Sequence, residues 1–574
     1  MEMLNGAQIV VRALEDLGVE QMFGYPGAAV IDIYDELLNS DKITHILARH
    51  EQGAVHMADG YARATGKVGC AIVTSGPGAT NTVTAIATAY GDSIPLVVIT
   101  GQVATSLIGS DAFQEVDTVG ITRPVVKHSF MCKKAEDIAI NIRKAFYIAS
   151  TGRKGPVVVD IPKNAQNPNI KVPYDMSTPI NLRSYNPTVY GHKGQVRRAV
   201  KMIAEAKRPV LIFGGGVVQG NASENLAKLV NKMNLPATQT LMGISALPST
   251  DRHNLGMVGM HGTYEANEAM HNSDLVVAIA VRFDDRATNN ARKFCPNAKI
   301  IHVDVDPASI SKCVHADIPI VGDCNTVLGQ MLQSIEEQEL QASPELDAWW
   351  EQIDKWRARN CLAYEKSDTV IKPQQVIEEV CAAVAERGDD TYITTDVGQH
   401  QMFVAQLFKF VHPRHFITSG GLGTMGFGFP AAAGVKVAYP DAQVICFTGD
   451  GSFQMNLQEL GTCKQYHLPV KIFILDNHTL GMVRQWQSLF YHQRYSQTNL
   501  DYNPGFIKLA DAYDHKAFKV SDPKELRAVI DKVLAMKDDL VIVDVITDTD
   551  SKVFPMQRTG GSMEDMILAE SKED

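Results

Sequence analysis

One local pattern recurs along the chain and restricts its fold: a short, continuously apolar run, a glycine-rich turn, then a stretch with helical spacing. "VGCAIVTSGPGATNTVTAIATAY" followed by "IPLVVITGQ" is one such unit. "RPVLIFGGGVVQGNASENLAKLVNKMN" with "LPATQTLMG" is another, and "AQVICFTGDGSFQMNLQELGTCKQYHLPVKIFILDN" a third. A strand apolar on both faces has no wet side, so its sheet must be covered twice, and alternation with helices makes it parallel. The expected class is therefore α/β, with mostly parallel sheets flanked by helices. At 574 residues the chain exceeds what a single hydrophobic core supports. Residues 165–193, rich in Pro, Asn and Ser, and the charged residues 336–372 interrupt the pattern. They suggest three domains, 1–170, 190–340 and 370–574, all built from the same strand–turn–helix unit. Ligands of such sheets sit beyond the carboxyl ends of the strands, so the turns should carry function.

Several classes of function are excluded early. A net charge of −11 without a Lys/Arg-rich block argues against nucleic acid as a partner. The opening "MEMLNGAQIVVRALEDLG" has acids and helical spacing where a signal peptide needs a basic region and an apolar run. No run is long enough for a membrane-spanning helix. The nine cysteines are scattered without a CxxC pair, as expected of reduced thiols in a cytoplasmic protein, so any metal should be held by oxygen.

The most selective signal is "VICFTGDGS", a strand ending at Gly449, Asp450, Gly451 and Ser452, followed by a helix and by "VKIFILDN", which ends at Asn477. A βαβ unit makes these strands parallel, so Asp450 and Asn477 can project from one sheet edge. One carboxylate, one amide oxygen and a nearby carbonyl suit Mg²⁺ that takes its remaining ligands from water and a phosphate. The adjoining helix N-terminus and its glycines would donate N–H groups to that phosphate. "ITTDVGQHQ" adds Gly398, Gln399 and His400 as further donors, and "TSGGLGTMGFGFPAAAG" places Met425 in a glycine-rich stretch. A structural reading competes at each place: Asp-Gly turns are common, and Met usually fills cores. Near the other end, "LARHEQGAVHMADGYARATG" sets Glu51 at a strand-to-helix junction beside Ala54, Ala58 and Ala62. Its plain reading is a first-turn acid facing the positive end of the helix dipole and capping free N–H groups.

The run from the GDG turn to the Asn-terminated strand resembles the thiamine-diphosphate (ThDP) motif, and "RHEQGAVHMADGYAR" resembles the glutamate segment of that superfamily. The likeness extends over essentially the whole chain, from "FGYPGAAVIDIYDEL" and "TSGPGATN" through "DAFQEVD…RPVVKHSF", "LGMVGMHGTYEAN" and "VRFDDRATNN" to "LGMVRQWQ" and "FPMQRTGG". It is similar to the large, catalytic subunits of the bacterial acetohydroxyacid (acetolactate) synthases. That resemblance implies three domains of the ThDP-enzyme fold: pyrimidine-binding, FAD-binding and diphosphate-binding. It assigns Glu51 to the cofactor's pyrimidine N1′, across a homodimer interface. Gly398, Gln399, His400, Gly423, Met425, Gly449, Gly451, Ser452, Gly481 and Met482 would bind ThDP, with Met425 wedged between its rings. Mg²⁺ would lie on Asp450, Asn477 and Thr479.

The resemblance also implies a structural FAD at Arg153, Gly214, Gly215, Gly216, His261, Gly262, Thr263, Arg282, Asp304 and Asp323. Without it, the glycines after "PVLIF" would suggest only a nucleotide site, with NAD the naive choice. Gln114 and Lys163 would be catalytic. Phe113, Met260, Arg286 and Trp486 would shape the substrate pocket, Trp486 favouring 2-ketobutyrate over pyruvate as second substrate. Arg286 has the forked donors a keto-acid carboxylate needs, although an ion pair within "RFDDR" is the ordinary alternative. The implied activity is decarboxylation of pyruvate and transfer of the two-carbon unit to a second 2-keto acid, at the head of valine, leucine and isoleucine synthesis. A small regulatory subunit is the implied partner. The competing readings are a pyruvate oxidase of the same architecture and a catalytically inert homologue. In one place the chain departs from many family members: Ala28 stands where they carry a second glycine.

Overall fold

The computed structural model describes residues 2–569. The first of three six-stranded sheets contains β1 (Gln21–Tyr25), β2 (Thr44–Leu47), β3 (Gly69–Val73), β4 (Leu96–Gln102), β5 (His128–Met131) and β6 (Pro156–Pro162). All its pairings are parallel, in the order β2-β1-β3-β4-β6-β5. The second has β7 (Pro209–Phe213), β8 (Ala237–Gln239), β9 (Asn254–Met257), β10 (Leu275–Ile279), β11 (Lys299–Asp304) and β12 (Ile318–Val321), ordered β9-β8-β7-β10-β11-β12. The third has β13 (Thr391–Thr395), β14 (Phe416–Ile417), β15 (Gln443–Gly449), β16 (Val470–Asp476), β17 (Lys516–Val520) and β18 (Val541–Ile546), ordered β14-β13-β15-β16-β18-β17. Every residue of β4, β6, β15 and β16 is buried, which is why these strands read as unbroken apolar runs.

The first and third sheets are wired identically; the middle one is not. In the middle sheet the order reverses between its first and fourth strands, β7 and β10, and such a reversal opens a crevice at the carboxyl edge. Three helices border the turns at these sheet edges. α1 (Glu51–Thr65) joins β2 to β3, α2 (Gln399–Leu407) follows β13, and α3 (Gly428–Ala438) joins β14 to β15. α1 and α3 therefore hold equivalent places in two like-wired sheets, and they pack against each other. A Cβ on Gly60 would lie 2.3 Å from the Ala431 carbonyl oxygen, and one on Gly434 would lie 1.9 Å from that of Met57. Only hydrogen at these places lets the backbones approach so closely. The first and third domains consequently share one core, in which Ala58 and Val98 meet Phe429 and Ile472, while the middle domain closes its own around Leu211, Val277 and Ile301.

Both interrupting segments carry structure. Lys171–Pro173 pairs antiparallel with Met3–Asn5, and Tyr174 and Tyr185 pack on the first domain. The helix Leu346–Arg357 buries Trp349 and Trp350 in the middle domain, each indole N–H donating to a backbone carbonyl, of Pro209 at 3.1 Å and Asn234 at 3.0 Å. The C-terminal stretch returns to the same domain, where Gln557 N donates to Met260 O at 2.8 Å and Met563 enters the core. Among the described residues no helix is long and apolar enough to cross a membrane. All nine cysteines are free, and only Cys313 is exposed.

Candidate active site

A cavity of about 560 Å³ opens beyond the carboxyl ends of β15 and β16. Gly398, Gln399, His400, Met425, Gly449, Asp450, Gly451, Ser452, Asn477, Thr479, Gly481 and Met482 all line it. Of the residues assigned to thiamine and metal, only Glu51 and Gly423 lie elsewhere. Gly423 adopts φ 69° in the loop leading to Met425, a conformation that favours glycine. Asp450 begins the short helix Asp450–Phe453 and is 1% exposed; burial, with Asp476 nearby, pushes its carboxyl up to about 7. Two buried polar atoms in the wall have no protein partner, His400 Nε2 and Thr479 Oγ1. Burial pushes His400 down to about 4, so its imidazole is neutral near neutral pH. Unpartnered polar atoms, a buried carboxylate and glycines with no room for a Cβ suit a metal-bound diphosphate. At Gly481, for example, a Cβ would sit 2.2 Å from Gln399 Oε1.

Several supporting residues are not among those assigned from the sequence. Asp396, at the end of β13, is fully buried and accepts the N–H of Gly426 at 2.7 Å and Gly428 at 3.3 Å, fixing the loop that presents Met425. Burial pushes its carboxyl up to about 6 against those donors. Asn456 holds the same loop through Gly426 O at 2.7 Å. Asn503 Nδ2 bridges Asp450 Oδ2 at 2.8 Å and Asp476 Oδ1 at 3.0 Å, relieving two adjacent carboxylates. Asp450, Asp476 and His478 also converge within 4.8 Å, but only Asp450 of the three faces the cavity. A strand-end Asp was visible at 396 as at 450; Asn503 offered no local pattern.

Glu51 is half-buried in the first turn of α1, and its Oε2 accepts from Asn81 Nδ2 at 3.0 Å. The capping reading needs correction. His50 Nδ1 accepts the Gln52 N–H at 3.1 Å, so the imidazole is the cap and the carboxylate is left to point away. Ala54, Ala58 and Ala62 do not surround the carboxylate either; they are buried in the core shared with α3. In the single chain Glu51 does not line the cavity beyond β15 and β16. The turn at Ala28 is accommodated: Ala28 is exposed, whereas at Gly27 a Cβ would lie 2.5 Å from Thr74 Cβ.

A second cavity, of about 940 Å³, lies where the middle sheet reverses and is closed on one side by the first domain. Arg153, Gly214, Gly215, Gly216, Arg282, Asp304 and Asp323 line it. A Cβ on Gly216 would meet that of Ala280 at 2.6 Å, so the glycines keep the cradle open. Arg153 donates to Ser93 Oγ at 2.9 Å and pairs with Asp306 at 3.2 Å, which points it along the wall. His261, Gly262 and Thr263 lie outside this cavity: His261 contacts Pro555 O at 3.3 Å, and Thr263 caps the helix Tyr264–Asn272. A dinucleotide fits the crevice, the glycine cradle and the acids at the strand ends.

Of the residues assigned to substrate and catalysis, Met260 and Arg286 touch each other. None of Phe113, Gln114, Lys163, Met260, Arg286 and Trp486 lines the cavity beyond β15 and β16. Phe113 is 87% exposed, and Gln114 beside it has φ 58°. Lys163 pairs with Asp32 at 2.8 Å. Arg286 stays largely exposed, 3.8 Å from Asp285 and 3.2 Å from the Met260 sulfur, so its fork is not consumed by an ion pair. Trp486 is half-buried against Phe490, ring centroids 5.2 Å apart.

Three family models match the chain. They describe the N-terminal TPP binding domain of thiamine pyrophosphate enzymes over residues 4–121, the central domain over 196–331 and the C-terminal TPP binding domain over 396–545. Together with the paired sheets and the cavity beyond β15 and β16, they define a thiamine-diphosphate enzyme. The acetolactate synthase large subunit of Haemophilus influenzae is 56% identical over 574 residues, 100% of both chains. The large subunit of acetolactate synthase isozyme 3 of Escherichia coli is 55% identical over 575 residues, again 100% of both. The acetolactate synthase of Mycobacterium leprae is 46% identical over 573 residues, 99% of this chain and 91% of that one. The chain belongs to the acetolactate synthase large-subunit family.

Proposed function

We propose that the chain decarboxylates pyruvate and joins the two-carbon unit to a second 2-keto acid, pyruvate or 2-ketobutyrate, as the first common step of branched-chain amino-acid synthesis. The reading rests on the cavity where Asp450 and Asn477 meet the unpartnered His400 Nε2 and Thr479 Oγ1. Thiamine diphosphate, when bound, supplies the electron sink for decarboxylation. Asp450, Asn477 and Thr479 would hold Mg²⁺, while Gly398, Gln399, His400, Gly449, Gly451 and Ser452 would hold the diphosphate. Glu51 would exchange a proton at the pyrimidine N1′, and Arg286 would bind a substrate carboxylate through its two parallel donors. Because Glu51 lies off its own chain's cavity, two copies would form each site, with Phe113, Gln114 and Lys163 brought in by the same contact. FAD would occupy the middle-domain crevice as a structural group, since the net reaction transfers no electrons. A small regulatory subunit is the proposed further partner, and the nine free thiols suit a cytoplasmic enzyme.

The test is an anaerobic assay with pyruvate and 2-ketobutyrate together, omitting ThDP, Mg²⁺ and FAD in turn. Acetolactate and 2-aceto-2-hydroxybutyrate should form without an electron acceptor, and each omission should abolish them. A requirement for an acceptor would instead identify an oxidase.

A further inference from the structure

We propose that Glu459 of the third domain is the positioning residue for Glu51, its carboxylate fixing the turn from which Glu51 projects. The inference rests on the proton-exchanging role proposed for Glu51. Glu459 ends the short turn Leu457–Glu459 that follows the metal-site helix, and it is 0% exposed. Its two oxygens accept the Arg49 N–H at 3.1 and 3.0 Å, its carboxylate also meets the His50 N–H, and Oε2 accepts the Thr462 hydroxyl at 2.6 Å. Among the described residues it forms no ion pair. A buried carboxylate is costly unless its lone pairs are filled, and here the Thr462 hydroxyl and the backbone amides just before Glu51 fill them, with the Arg49 charge nearby.

The surroundings are shaped for this contact. A Cβ on Gly53 would lie 2.3 Å from Glu459 Oε1, so only glycine at that position of α1 admits the carboxylate. The rest of the turn is held by the same stretch of the third domain. Leu47 N donates to Tyr466 OH at 2.9 Å, and Arg49 Nη2 donates to Gln465 Oε1 at 2.8 Å. Glu51 itself has one side-chain bond, to Asn81. Its direction is therefore set through the Arg49–His50 backbone. A displacement of about 1 Å at a reacting group can cost on the order of 100-fold in rate, so a clamp on that backbone has a functional consequence beyond holding two domains together.

The test uses the full-length protein with Glu459→Gln, Gly53→Ala and, in parallel, Glu51→Gln. In Glu459→Gln an NH₂ replaces one acceptor and opposes the backbone donors. Gly53→Ala displaces the same carboxylate from the opposite side although alanine is the better helix former. Amide hydrogen exchange over residues 47–55, measured without cofactor, should quicken about tenfold in both variants. Proton exchange at the thiazolium C2 of bound ThDP, followed by NMR after acid quench, should slow about tenfold or more. ThDP–Mg²⁺ affinity, titrated by protein fluorescence, should change less than about threefold, because the diphosphate cavity is untouched. Normal C2 exchange in both variants, with Glu51→Gln slow, would overturn the proposal and leave Glu459 a domain staple. Normal C2 exchange in Glu51→Gln would instead overturn the role of Glu51 itself.

Discussion

At Glu51 the deciding fact is which group does the capping. His50 takes the helix N–H, and that frees the carboxylate for a partner other than its own backbone. Glu51→Gln preserves shape and the Asn81 contact but removes the carboxylate proposed to exchange a proton. Steady-state kinetics should show kcat lowered about 100-fold or more with ThDP affinity little changed, the usual scale for losing a general acid–base. Further along α1, His56 is fully buried, its Nδ1 has no partner and its ring meets Phe427 edge-on at 5.3 Å. Burial, helped by Arg63 and His50, pushes its imidazole from 6.5 down to about 3. The unfolded chain takes up a proton below its ordinary value while the folded one does not, so stability is lost as pH falls through 6.5. Between about pH 7.5 and about pH 5.5, wild type should lose about 1 kcal/mol relative to His56→Gln, read from paired thermal unfolding curves.

At the scale of elements, the seam between α1 and α3 brings two helix backbones into direct contact. Both glycines that make it possible sit inside helices, where alanine would ordinarily be the stabilising choice. Gly434→Ala should do the opposite. With its methyl 1.9 Å from the Met57 carbonyl oxygen the helices must separate, at a cost of about 1–3 kcal/mol that appears as a lowered melting temperature and a looser α1 in hydrogen exchange. Here the sequence was only half legible. "AVHMADGYARA" and "GFPAAAGVKVA" show small residues at helical spacing, but nothing local says that these two helices face each other. The strands were legible because burial on both faces writes itself as an apolar run. The GDG turn and the Asn that ends the next strand were legible because backbone connectivity alone places them on one edge. Asn503 and Glu459 were not, since they act across distances no sequence window covers.

At the scale of the whole molecule, like-wired first and third sheets pack as internal counterparts, and the middle sheet supplies a crevice of its own. This wiring leaves Glu51 and the cavity beyond β15 and β16 apart in one chain, so the proposed completion of the site by a second copy can be tested by mixing. Glu51→Gln and Asp450→Asn chains, each inactive alone, should form heterodimers with one intact and one doubly damaged site when refolded or co-expressed together. Random pairing makes about half the dimers mixed, restoring about a quarter of wild-type activity. No recovery in mixtures shown to exchange subunits would place Glu51 and the metal site in the same chain.

The sequence by itself determined the α/β class, the strand ends and the chemistry offered at each turn, because those depend on neighbours within one strand–turn–helix unit. The tertiary structure decided which turns meet. It gave the alanine face of α1 to a helix rather than to a cofactor, and capping to His50 rather than Glu51. It also set the backbone before Glu51 on a carboxylate from about four hundred residues away. Packing between domains is governed by shape and buried hydrogen bonding among residues remote in the chain, and no periodicity or short motif records those pairings.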